Sequence, residues 1–203
     1  MCPPNLLDDD NEGGHAGPPL PIQMPERIIR PINGFSRDIG YYLAGMEEVR
    51  AQLREAVLEI SSEDIGRLAI PDAHSIGGLV LHIGEAEWWW MNCVISGREV
   101  TQEIATASFW DVLEEPERVS QRGYSAQFCL DEIEKIRDQT RALLATFDDN
   151  RMDEVFAFER KGKTNELSLR WILHHLIDHE AQHKGQILML KRLLGLQNEQ
   201  LLG

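Results

Sequence analysis

The chain has 203 residues, 42% of them hydrophobic and 27% charged, enough for one domain with a substantial core. Its formal charge of −14 sets it against duplex nucleic acid and anionic membrane surfaces. No apolar run approaches the ~18 residues of a membrane span, and no basic region followed by an apolar one marks the N-terminus, so a cytoplasmic protein acting on a small molecule is expected.

Residues 1 to 35 carry most of the prolines and an acidic run at Asp8 to Asp10, a composition that cannot build a packed helix. They are expected to form a disordered or loosely wrapped extension, in which His15 has no helical partner to ligate beside. From residue 36 onward four segments repeat apolar residues at steps of three and four, the period of one helix face. The first stripe runs Ile39, Leu43, Met46, Leu53, Val57, Ile60 and stops before Ser61-Ser62. The second follows Ser75, a suitable N-cap, through Leu79, His82, Ala86, Trp89 and Cys93 to Gly97. Within it Trp88 to Trp90 are read mainly as core and rim packing.

A long connection, 98 to 122, leads to the third segment, which begins near Ser125 and carries Cys129, Ile133, Ile136, Thr140, Leu143 and Phe147. Residues 148 to 167 form a second long connection, rich in charge, with Phe156 and Phe158. The fourth segment is capped by Ser168, places Ile172, Leu176, His179, His183, Ile187, Leu190 and Leu194 on one face, and closes at Gly195. Connections of such length in a compact domain often cover a site or carry short helices. With no convincing strand pattern, residues 36–203 are expected to fold as an all-α four-helix bundle with long connections. Cys2, Cys93 and Cys129 are odd in number and form no CxxC pair, so neither a disulfide framework nor a cysteine zinc knot is indicated. Cys93 and Cys129 read as small core residues.

Histidines in these stripes need partners, because a buried imidazole must satisfy its nitrogens. His179 and His183, spaced i, i+4, can share one ion, and His82 offers a third nitrogen from another helix. A divalent ion held by three protein nitrogens keeps a position open for water or substrate, unlike a closed structural site. Glu85, three residues after His82, could orient a ligand or act as a base, and His175, four before His179, could bind substrate or support a ligand. His174 is expected to face away. Arg170, Lys184, Lys191 and Arg192 could attract an anionic group, although solvated helix charges are the simpler reading.

His179-Glu180-Ala181-Gln182-His183 spells HExxH, the zinc-protease signature. The extended pattern fails, since positions 186 and 189 are Gln and Met, and no strand is expected to present a peptide. Glu180 to His183 also spells the ExxH of di-iron bundles, but no second copy exists on another helix.

The segment HEAQHKGQILMLKRLLG at 179–195 resembles the closing motif of the DinB-like, or DinB/YfiT-like, metal-binding superfamily. SIGGLVLHIGEAEWWW at 75–90 resembles that family's second-helix motif. The resemblance spans about residues 36 to 195 and implies a four-helix bundle holding a divalent metal, commonly zinc or nickel, through His82, His179 and His183. It also implies a homodimer, and an activity such as a thiol-dependent S-transferase or isomerase with a low-molecular-weight thiol as cosubstrate. The chain departs from the pattern in its N-terminal extension and in Lys184, where arginine is common. Two other functions stay open: a metal-dependent hydrolase with Glu85 or Glu180 as base, and a non-catalytic bundle stabilised by its metal.

Overall fold

The computed structural model describes residues 28–71, 73–160 and 162–196. Most of the proline-rich extension, His15 included, lies outside them. Four long helices build the bundle: α1 (Arg37–Val57), α2 (Ile76–Trp88), α5 (Ala126–Leu144) and α6 (Leu169–Leu193). The connection between α2 and α5 carries two short helices, α3 (Gln102–Ala105) and α4 (Arg118–Arg122).

Serine hydroxyls start three of the long helices, accepting hydrogen bonds from backbone amides that the first turn leaves unpaired. Ser75 takes the amide of Gly78, Ser125 that of Phe128 and Ser168 that of Trp171. For α1 the cap comes from elsewhere in the chain: Asp149 Oδ1 accepts from the amides of Asp38 at 3.0 Å and Ile39 at 3.2 Å. Gly97, at φ 63°, adopts the left-handed conformation beyond the second helical segment, where the sequence placed a stop.

The helix α2 continues as a π-helical stretch, Trp89–Ile95, whose wider turn displaces its backbone bonds. Side chains meet the carbonyls there: Asn92 Nδ2 donates to the Trp88 oxygen at 3.1 Å and Ser96 Oγ to that of Met91 at 2.8 Å. Around the bundle α2 packs on α5 and α6, and α1 packs on α6 and α5, so the consecutive helices α1 and α2 stand on a diagonal. The α2–α5 approach is close because position 84 is glycine. A Cβ on Gly84 would stand 2.7 Å from Ile133 Cγ2.

The connection before α6 is a β-hairpin, although the sequence shows no convincing strand pattern there. Strands β1 (Val155–Arg160) and β2 (Lys163–Ser168) pair antiparallel, with Phe158 opposite Asn165 and Phe156 opposite Leu167. Gly162, at φ 71°, supplies the positive φ that a two-residue hairpin turn demands. Phe156 and Phe158 alternate with Ala157, and that period of two carries both rings to the bundle side, where they pack on the apolar cluster around α1 and α6.

The apolar core falls into two clusters. One gathers Leu53, Val57, Ile76, Ile83, Ile133 and Ile187, and the other Leu43, Met46, Met91, Leu144, Ile172 and Leu176. Between these levels each long helix contributes one buried charge: Arg50 from α1, Glu87 from α2, Arg137 from α5 and Glu180 from α6. Each arginine bonds both carboxylates. Arg50 Nε donates to Glu180 at 2.6 Å and its Nη2 to Glu87 at 3.0 Å. Arg137 Nε donates to Glu87 at 2.8 Å and its Nη2 to Glu180 at 3.1 Å. Burial by itself would raise the Glu87 carboxyl, but the charges of Arg137 and Arg50 outweigh it and hold the group down at about 2.

Removing one member of such a cluster leaves the others charged and unpaired in the core. Arg137→Met should therefore lower the unfolding free energy by about 3–5 kcal/mol in urea titration. Arg141→Met removes a part-exposed arginine paired with Glu47 and Glu134 and should cost less than about 1 kcal/mol.

Candidate metal centre

His82 lies two turns into α2, and His179 and His183 lie midway along α6. Because α2 and α6 pack side by side, the three rings meet in their groove: His82 is 5.2 Å from His179 and 5.1 Å from His183 between ring centroids, and the α6 pair is 4.4 Å apart. One ring nitrogen from each residue lies within 4.8 Å of the others. All three side chains are half-buried. The sequence stripe placed His179 and His183 in the core itself. The structure instead sets them at its edge, with Glu180, 2% exposed, in the fully buried position between them. A carboxylate can stand there because two guanidinium groups receive it.

Hydrogen bonds prepare two of the rings. The Nδ1 of His82 is 2.9 Å from Glu85 Oε2, and since a carboxylate accepts, that nitrogen carries the proton and Nε2 keeps its lone pair. Glu85 is held in turn, its Oε1 accepting the Asp111 amide at 2.8 Å. On α6, His183 Nδ1 meets Gln186 Oε1 at 2.7 Å, which likewise frees Nε2. The Nε2 atoms of His183 and His179 are 3.1 Å apart, close to the separation of about 3.3 Å expected for two nitrogens on one tetrahedral zinc.

Burial, and then the charges that His183, His82 and His175 would carry, push the His179 imidazole down to about 3. His183 is also lowered, first by burial, although its bond to Gln186 works the other way. A ligating imidazole must be neutral, and these rings are neutral at physiological pH. Three imidazole nitrogens, two of them oriented from behind, form a set that can hold a divalent ion and leave one side open.

Of the other residues singled out in the sequence, Glu85 stands behind His82 with both oxygens engaged. His175 joins the row on α6, 5.7 Å from His179 and stacked on Trp171 at 4.9 Å with 10° between the rings. Its imidazole is lowered by burial. His174 is exposed. Three of the four basic residues turn elsewhere: Arg170 to Asp38 and Asp153, Lys184 to Gln52, and Lys191 to the Ala56 carbonyl.

Glu180 cannot serve as a base at this centre, because both its oxygens are taken by Arg50 and Arg137 on the core side of α6. Sequence reasoning missed this cluster. Its trace was the break in two apolar stripes, at Arg50 between Met46 and Leu53 and at Arg137 between Ile133 and Thr140.

The mycothiol-S-transferase family model matches residues 43–194, a span holding all four long helices almost entire and every residue of the three-histidine set. The chain belongs to that family, within the DinB-like superfamily. Among solved structures the chain is similar to a conserved protein from Enterococcus faecalis, at 14% identity and a TM-score of 0.59, covering 77% of this chain and 96% of that one. It is also similar to YfiT from Bacillus subtilis, described as a probable metal-dependent hydrolase with an unusual four-helix bundle topology. There the identity is 19% and the TM-score 0.56, over 82% of this chain and 93% of that one. At these identities the two structures establish the fold. No curated protein matches the chain.

The lowered histidines make a prediction about pH. In the unfolded chain His179 takes up its proton near pH 6.5, whereas in the folded chain it does so only near 3. Its contribution to stability is therefore complete above about pH 6.5 and is lost as the pH falls towards 3. The buried carboxylate Glu87 acts lower, between its ordinary value of 4.5 and about 2. Thermal unfolding of metal-free protein should show a melting temperature that declines already between pH 6.5 and 4.5, and His179→Ala should flatten that part of the curve.

Proposed function

We propose that this protein is a metal-dependent S-transferase that joins a low-molecular-weight thiol to a small electrophile, with His82, His179 and His183 as metal ligands. The observation that carries this reading is the convergence of three imidazole nitrogens, His82 and His183 each oriented from behind, on the open α2–α6 groove. Held by these residues, a divalent ion such as zinc or nickel would supply Lewis acidity that makes a thiol reactive as its thiolate at neutral pH.

Among the described residues, Cys93 and Cys129 do not offer that thiolate. Burial raises Cys129 to about 12 and raises Cys93 above its ordinary range, so among the described residues no activated thiol is present and the sulfur comes from a cosubstrate. A mycothiol-type thiol fits the family. Glu85 keeps the His82 ring in one tautomer and one orientation, and Gln186 does the same for His183. These two are positioning residues. His175 borders the ligands on the side towards Trp171 and contributes a neutral, half-buried wall.

The hydrolase reading needs a carboxylate free to take a proton from water. Glu180 is buried in its ion cluster and Glu85 has both oxygens committed, which favours transfer over hydrolysis.

In an assay of thiol consumption with a model electrophile, activity should require added zinc or nickel, and His82→Ala and His183→Ala should each abolish stoichiometric metal binding by elemental analysis. Glu85→Gln should retain the fold and lower metal affinity about 10–100-fold, as loss of a partner behind a ligand does. Metal-loaded protein that turns over no thiol, mycothiol included, but hydrolyses esters or amides would overturn this function.

A further inference from the structure

On α6 the ligands continue into a row of rings spaced four residues apart: His183, His179, His175 and Trp171. From His179 to Trp171 the row extends about 12 Å along the helix axis. Trp171 and His175 lie parallel, and Trp90 stands edge-on to both, 5.8 Å from the one and 5.4 Å from the other. Phe158, brought in by the β-hairpin, packs edge-on against Trp90 at 5.4 Å and Trp89 at 5.3 Å. Three elements thus converge on one aromatic shelf: the first turns of α6, the π-helical end of α2, and β1.

Packing alone does not account for this arrangement. Trp88 takes a core role, sealed against Trp110 at 5.7 Å and 6% exposed, and Trp90, equally buried, forms the floor of the shelf, whereas Trp171 is 42% exposed and Trp89, Phe158 and His175 are half-buried. A tryptophan left that open on a helix already anchored by Ile172, Leu173 and Leu176 adds little to the core. The π-helical stretch begins at Trp89, so Trp89 and Trp90, two of the three tryptophans of the shelf, stand where the helix departs from α geometry, a departure common at functional sites. The five rings carry no carboxylate, ammonium or guanidinium, so their recognition works through ring faces and edges.

We propose that this shelf is the binding subsite for the electrophile and that it selects a planar aromatic or conjugated group, set beside the three histidines by stacking on the exposed rings. The assignment rests on the transferase reading for its place in the reaction, but the binding itself can be measured without thiol or turnover. The chain has five tryptophans. In 1H–15N spectra of the full chain with zinc added, nitrobenzene should move the indole resonances of Trp171, Trp90 and Trp89 saturably and leave those of Trp88 and Trp110 in place. Nitrocyclohexane, which carries the same polar group without the planar ring, should bind at least fivefold more weakly. Trp171→Ala should weaken nitrobenzene binding about five- to tenfold, the effect of losing one aromatic contact, with unmoved Trp88 and Trp110 signals reporting an intact core. Phe158→Leu provides a second, milder variant with the same expected direction.

A response shared equally by all five indoles, no saturable response, or equal binding of the two probes would overturn the proposal. So would shifts of the shelf resonances that follow protein concentration rather than probe, which would place a second copy of the chain there. Nitrobenzene binding without any thiol transfer would count against the transferase reading alone. Thiol transfer that treats aryl and alkyl electrophiles alike, with no nitrobenzene site, would count against the shelf alone.

Discussion

Two arginines and two glutamates at the centre of the bundle set the relative heights of its four helices. Each arginine reaches both carboxylates, so a helix that slid by one turn, about 5.4 Å, would break contacts on two sides at once. Apolar side chains tolerate sliding better, because one methyl group packs much like another. A layer of charge between two apolar clusters therefore acts as a register pin. Its energetic cost is desolvation of four ions, offset by mutual pairing in a setting where water does not compete.

The three-histidine geometry inherits that register. His179 precedes Glu180 directly, and His82 lies five residues before Glu87, so the pins on α6 and α2 fix the heights from which the imidazoles project. What the pins leave undetermined, ring rotation, is settled by Glu85 and Gln186. The two levels of control use different chemistry for a physical reason. Helix placement needs strong multidirectional contacts in the core, while a ligand ring needs one directed acceptor that leaves its other nitrogen to the solvent side.

Much of this was legible in the residue order. Ser75, Ser125 and Ser168 marked helix starts because a hydroxyl cap is a local interaction, and the four apolar stripes marked the bundle because burial of one face is periodic. His82, His179 and His183 stood out as polar residues in those stripes. The ion cluster did not, because the partners of Arg50 and Arg137 lie far away in the chain and an isolated charge on a helix reads as solvated. For the same reason Glu180 invited a catalytic reading through its place in HExxH. The hairpin was hidden by length: six-residue strands that bury only Phe156 and Phe158 as a pair leave too brief a period to separate from a charged loop. The cap that Asp149 places on α1 was equally invisible, since it joins segments more than a hundred residues apart.

The diagonal placement of α1 and α2 has a bearing on how the molecule assembles. In an up-down bundle the first two helices are neighbours joined by a short loop and can pack on each other early. Here α1 precedes α2 but packs among the long helices mainly on α6 and less on α5, and its N-terminus is capped by Asp149, so closure of long loops accompanies its burial. Helix α6 brings two of the three imidazoles, so the three-histidine set comes together only when the bundle has closed around α1 and α2.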